Sequence, residues 1–196
     1  MRAPAAHTDS ASSPRGRMPG DEGIWALLAG DLTMFSILFM TFAYYFRYNR
    51  QLFIASQGSL HIGVGLFSTA ILLASSAFVA IGVHRSRKAD LTAVRFFDAA
   101  ALCGIIFALL KIRDYHDKVS VGLSPMTNDY FLLYFTFTGI HLLHVVVGTC
   151  LLLAMRESVR RNRGNPSMAL IESGALFWHV VDLLWIVLFS LFYLAR

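Results

Sequence analysis

The sequence predicts an all-α fold: a five-transmembrane-helix bundle with its N-terminus inside and its C-terminus outside the membrane. Three observations lead there. Hydrophobic residues make up 56% of the 196-residue chain and charged residues only 15%, with a mean hydropathy of +0.58, a balance that soluble domains seldom show. Windows of about 20 residues without fixed charge recur along the chain, and that is the length a helix needs to cross a bilayer. The basic residues gather in short clusters between those windows, where Lys and Arg set membrane orientation.

Residues 1–22, "MRAPAAHTDSASSPRGRMPGDE", are rich in Ala, Ser, Pro and charge. They lack the apolar core of a signal peptide and are expected to be a disordered tail. Residues 23–196 then form one domain, in keeping with about 100–200 residues per domain.

The first apolar segment, Ile24–Phe46, is interrupted only by Asp31. The second, Ile62–Val83, has no charged residue. The third, Phe96–His116, is the most polar, with Asp98 near its start and "KIRDYHDK" at 111–118 crowding its end. There Lys111 and Lys118 are expected to snorkel towards an interface, and Asp114 and Lys118 have the favourable acid-first i,i+4 spacing. The fourth, Tyr130–Met155, has no Asp, Glu, Lys or Arg but contains His141 and His144. The fifth, Ile171–Ala195, carries Glu172 at its mouth and His179 and Asp182 inside. At 1.5 Å per residue each segment is roughly 32–39 Å long, enough to span with some tilt.

Counting Lys and Arg gives the orientation. With the N-terminus inside, only Arg47, Arg50, Lys111, Arg113, Lys118 and Arg196 lie outside, leaving eleven of the seventeen within. That asymmetry in short loops favours the inside N-terminus.

The same composition excludes several functions. The net charge of +5 has no basic stripe behind it, so nucleic-acid binding is not supported. Cys103 and Cys150 both fall in apolar segments and are expected to be small buried hydrophobes rather than a disulfide pair or metal ligands. No Ser or Cys stands at a telling distance from a base. Pairs of small residues four apart, Ala70/Ala74, Ala100/Gly104 and Gly104/Ala108, are expected to be helix-packing sites.

Ionisable residues at membrane depth normally face protein or water and mark function or packing. Asp31, His141, His144, His179 and Asp182 all fall in the inner-to-middle layer when depth is counted along their helices, so one polar cluster is geometrically possible. His141/His144 and His179/Asp182 are each i,i+3 and share a face. Together they offer four N and O donors, a first shell suited to zinc or iron, but the carboxylates that a di-iron bundle takes from several helices are missing. Two histidines on one face do not reach opposite sides of one haem iron, and no C-x-x-C-H attachment motif is present. Asp31, a lone acid in an apolar helix, is the proton-related candidate. Hydrogen bonds between helices account for the same residues without any transfer.

The motifs themselves add a resemblance. The stretch "FTGIHLLHVVVGT", followed after a basic loop by "ESGALFWHVVDLLWIVLFSLFYL", resembles the end of subunit III of haem–copper cytochrome c oxidases. In that family a G-x-H-x-x-H-V-x-x-G helix precedes an E-x-x-x-x-x-W-H-x-V-D-x-x-W helix. The matching residues are Gly139, His141, His144, Val145 and Gly148, then Glu172, Trp178, His179, Val181, Asp182 and Trp185. The likeness covers residues 21–196, with five spans like the short bacterial versions. Asp31, in "GDLTMF", stands where the oxidase branch has glutamate, and the third segment ends in Asp114–Tyr115 in place of a Glu–Tyr pair. "GDEGIWALLAGDLTMF" and "TNDYFLLYFTFTGIHLLHV" are more similar to the NorE-type branch associated with nitric oxide reductase.

The resemblance implies an accessory subunit in the bacterial plasma (inner) membrane, with neither a catalytic site nor a metal of its own. Haem and copper belong to a partner, the catalytic haem–copper oxidase subunit I or the large subunit of nitric oxide reductase. It implies structural phospholipid in a cleft between helices and support for assembly, proton uptake and stability of the catalytic subunit. By position, Asp31 is the buried acid of the first helix. His141, His144, Glu172, Trp178, His179 and Asp182 are inter-helix contacts near the lipid cleft, and Asp114 and Tyr115 are an outer-end acid pair. A stand-alone membrane metalloenzyme is the reading from another class.

Overall fold

The computed structural model describes residues 22–58, 60, 62–162 and 166–194. Apart from Glu22, the expected tail lies outside them. Six helices follow one another: α1 (Glu22–Tyr48), a short α2 (Arg50–Gln57), α3 (Ile62–Arg87), α4 (Ala93–Ser120), α5 (Asp129–Arg161) and α6 (Met168–Phe189), which a π-helical turn, Ser190–Leu194, continues. Among the described residues there is no strand, and five helices are long and apolar enough to cross a membrane. These are the five spans expected. The additional helix, α2, is eight residues long and buries one side chain, Phe53, too little apolar length for a span.

Four of the long helices close into a ring, with α3 against α4, α4 against α5, α5 against α6, and α6 back against α3. The sequence builds this ring through stripes that alternate three- and four-residue steps. On α3 the buried stripe is Gly65, Ser68, Leu72, Ser75, Val79, Gly82 and Ser86, nearly all small, which brings its backbone close to its neighbours. On α4 it runs Phe97, Ala100, Gly104, Phe107, Lys111, Asp114 and Lys118. Ser75 Oγ donates to the Ala100 carbonyl at 3.0 Å, so a hydrogen bond joins the two stripes.

Tryptophans from α6 fill the ring. Trp178 lies in a slot whose walls are glycines: a Cβ on Gly104 would come within 2.9 Å of its indole, and one on Gly148 within 2.7 Å. Trp185 touches every other wall. Its ring meets Phe107 of α4 edge-on at 4.8 Å and stacks on His141 of α5 at 5.3 Å, while Nε1 donates to Thr69 Oγ1 of α3 at 3.0 Å.

Helix α1 leans on the outside of this ring, against α5 and α6. Its fully buried residues, Leu28, Phe35 and Phe42, are seven apart, so only one seam touches protein. Trp25, Leu32, Ile37, Met40, Tyr44 and Tyr48 all point outward. At the far end Phe53 of α2 wedges edge-on between Phe42 (5.5 Å) and Tyr130 (5.3 Å).

Two expectations need correction. Ala70 and Ala74 face outward, because the stripe of α3 that meets protein is the one through Gly65 and Leu72. Cys150 is exposed and Cys103 only half-buried, since both lie off the buried stripes of their helices. Gly104 and Ala100 do sit at the close α4 contact.

Candidate functional site

The single polar cluster that depth along the helices makes possible is not what forms. The five residues separate into three local arrangements, and among the described residues no three His, Cys, Asp or Glu side chains converge. The separation follows from helix geometry, because side chains three apart point about 60° from each other. His144 therefore turns to α1 while His141 turns into the ring.

Asp31 Oδ1 and His144 Nε2 are 3.4 Å apart and join α1 to α5. The pair forms one side of a pocket of about 210 Å³, lined also by Leu27, Leu143, Val147 and Phe177. Phe35 meets the imidazole edge-on at 5.6 Å, and Phe177 stacks over it at 6.3 Å. The other ring nitrogen, Nδ1, lies 2.8 Å from the Ile140 carbonyl. A carbonyl only accepts, so Nδ1 donates there and Nε2 is the nitrogen that faces Asp31. A proton on either Nε2 or the carboxyl would make that contact a hydrogen bond.

His179 Nδ1 is 2.6 Å from Ser76 Oγ, which ties α6 to α3. Asp182, one turn on, is buried, with Oδ1 unpartnered among the described residues. His141 is fully buried, and among the described residues neither ring nitrogen has a hydrogen-bond partner. It is held by its rings alone, stacked on Trp185 and edge-on to Phe107 at 5.8 Å. Glu172 binds Arg87 at 3.1 Å across α6 and α3. Among the described residues, Nε1 of Trp178 has no hydrogen-bond partner in the glycine slot.

The largest polar assembly surrounds Asp114. Tyr134 Oη donates to Asp114 Oδ2 at 2.5 Å, Lys111 Nζ approaches the same oxygen at 3.5 Å, and Lys118 Nζ binds Oδ1. Lys111 Nζ also donates to Tyr134 Oη at 3.0 Å and lies 4.8 Å from the Trp185 ring centroid. Tyr134 Oη reaches Tyr193 Oη at 3.4 Å. Tyr115 points elsewhere, sharing a 2.7 Å hydrogen bond with Thr138. The two lysines do not snorkel outward. They are only 3% and 5% exposed, because both lie on the buried stripe of α4, where ion pairing and aromatic faces replace water.

Sequence reasoning missed Tyr134 and Tyr193 and placed Lys111 and Lys118 at the surface, although the Asp114–Lys118 pair that the spacing favours does form. The signal was available for the lysines: they continue the three-and-four spacing of Phe97, Ala100, Gly104 and Phe107 without a break. No such signal marks Tyr193, which the π-helical turn brings inward.

A family model described as "Cytochrome c oxidase subunit III" matches residues 54–195. Curated relatives include "Cytochrome bo(3) ubiquinol oxidase subunit 3" of Buchnera aphidicola subsp. Acyrthosiphon pisum, 27% identical across 88% of this chain and 84% of the relative. "Quinol oxidase subunit 3" of Bacillus spizizenii is 27% identical across 88% and 85%. "Cytochrome c oxidase subunit 3" of Corynebacterium diphtheriae is 29% identical across 70% and 69%.

Proposed function

The chain belongs to the cytochrome c oxidase subunit III family, and from that premise we propose that it is the accessory subunit of a bacterial haem–copper oxidase that sustains proton uptake and the integrity of the catalytic subunit. It is a multi-pass protein of the bacterial plasma membrane. The oxidase names of its relatives support a catalytic subunit I as partner, with haem and copper held there.

The observation that carries the reading is the Asp31–His144 pair. It sets a carboxylate and an imidazole 3.4 Å apart at membrane depth, beside a pocket, on the helix that the ring does not enclose. Transfer of a proton between the two groups leaves the pair's net charge unchanged, and carboxylate–imidazole chains of this kind serve as proton relays at membrane depth. Phospholipid chains packed against Leu27, Leu143 and Val147 would keep bulk water from the pair. The cytoplasmic N-terminus drawn from the charge asymmetry puts Asp31 nearer the side from which protons are taken up. The NorE-like stretches keep nitric oxide reductase as the alternative partner.

A tagged copy drawn from native membranes tests the reading. It is expected to bring with it a larger haem-bearing subunit whose preparation consumes oxygen. Recovery as a free, monodisperse bundle from cells expressing that subunit would refute it, and consumption of nitric oxide instead would assign the alternative partner.

A further inference from the structure

The cluster on α4 has more positive than negative charge. Lys111, Asp114 and Lys118 are all buried, so with the three ionised the bundle holds one ammonium in excess. An uncompensated charge in a low-dielectric interior is costly, and a counter-charge at hydrogen-bond distance relieves the cost. Lys111 is closed off by Tyr134, Asp114 and the rings of Trp185 and Tyr193. Lys118 is less enclosed: it lies over the Tyr134 ring at 5.2 Å, and among the described residues its only hydrogen-bond acceptor is Asp114, so its ammonium has capacity for a further acceptor.

Lys118 lines a cavity of about 630 Å³ between the first turns of α3 and the last turns of α4. Arg113 lines it too, paired with Asp117 at 3.8 Å. The remaining wall includes Val64, Leu110, Val121 and Leu123. Asp114 and Asp117 also border the cavity, but each already faces cations, Asp114 the two lysines and Asp117 both Arg113 and His116. The cavity therefore offers two cationic donors, apolar walls and a position at the end of two membrane-spanning helices.

We propose that this cavity binds the phosphate of an anionic phospholipid, with Lys118 and Arg113 as its ligands and Val64 and Leu110 against the acyl chains. Free phosphate shares the donor chemistry, and the apolar walls favour the lipid. The site is separate from the Asp31–His144 pocket, which α1, α5 and α6 line.

The full chain, purified in detergent and stripped of lipid, is titrated with phosphatidylglycerol, phosphatidylcholine or inorganic phosphate, with bound lipid read by native mass spectrometry. Phosphatidylglycerol is expected to be retained in preference to phosphatidylcholine. Losing one hydrogen bond to a charged group corresponds to about tenfold or more in affinity, so Lys118→Met and Arg113→Gln should each weaken retention by that factor, and Lys118→Arg should preserve it. Arg113 is exposed, so Arg113→Gln remains informative if Lys118→Met fails to fold. Equal retention by wild type and Arg113→Gln overturns the proposal. So does equal retention of the two lipids, or saturation by inorganic phosphate alone. The lipid lost in Arg113→Gln should stay bound in Asp31→Asn, and its loss there would move it to the other pocket and overturn the assignment.

Discussion

The Asp31–His144 pair and the Lys111–Asp114–Lys118 cluster both set ionisable side chains inside a transmembrane bundle, but they differ in how much protein closes around them. The pair is one 3.4 Å contact between a peripheral helix and the ring, open to a pocket. In the cluster a single carboxylate accepts from two lysines and a tyrosine, roofed by Trp185. Loss of the pair leaves each partner able to turn towards the pocket. Loss of Asp114 leaves two buried cations with nowhere to go. Ionisable residues inside one bundle can thus be either adjustable or structural, according to how many neighbours enclose them.

Asp114→Asn should have the largest effect. Removing one partner of a buried ion pair costs about 3–5 kcal/mol, so the variant should accumulate poorly or unfold far below wild type in detergent. Wild-type unfolding would erase the contrast between the two centres. Gly148→Ala probes packing between them, since its Cβ would stand 2.7 Å from the Trp178 indole. A loss of about 1–3 kcal/mol is expected from such overpacking, and a lowered unfolding midpoint measures it.

Asp31→Asn should shift stability by only about 0.6 kcal/mol, the typical value of an inter-helix hydrogen bond in a membrane. Its effect belongs in turnover: the assembled oxidase should lose activity sooner during sustained catalysis. An unchanged lifetime would reduce Asp31 to a packing contact. The smallest effect lies in the α3–α4 turn, outside the spans. Asp90 accepts from the Thr92 backbone N–H and binds Arg85, both at 2.9 Å. These contacts, the backbone bond first, hold its carboxyl down at about 2, against an ordinary value of 3.8. Because the native value is depressed, the contribution is present above about pH 4 and is lost as pH falls through about 2. Acid should speed amide exchange at Thr92 across that window, and Asp90→Asn should remove the dependence.

The spans were legible because a bilayer demands long apolar helices whatever their neighbours are. The histidine helix and its Trp–His–Asp partner were legible as well, and α5 and α6 do pack together. What sequence did not disclose was which helix stands opposite each polar side chain. That depends on order around the ring, and a 60° turn separates His144, facing α1, from His141, facing Trp185. Lys111 and Lys118 were misjudged because charge near a helix end suggests water. The spacing of α4 says otherwise, and it outweighs the nearness of the end. Helix α2 escaped notice because one buried phenylalanine in eight residues sets no periodicity.

The exposure of α1 has a consequence for biogenesis. Chains emerge N-terminus first, so α1 enters the bilayer before the helices it will lean on. Asp31 precedes His144 by 113 positions, and at about 5–20 residues per second that is roughly 6–23 s of synthesis. During that interval the carboxyl waits in lipid without its imidazole. The many outward-facing apolar side chains of α1 make the wait tolerable, since each favours insertion by about 0.3–0.6 kcal/mol against the few that an acid costs. The helix least embraced by the finished bundle is thus the one that must first stand in the membrane alone.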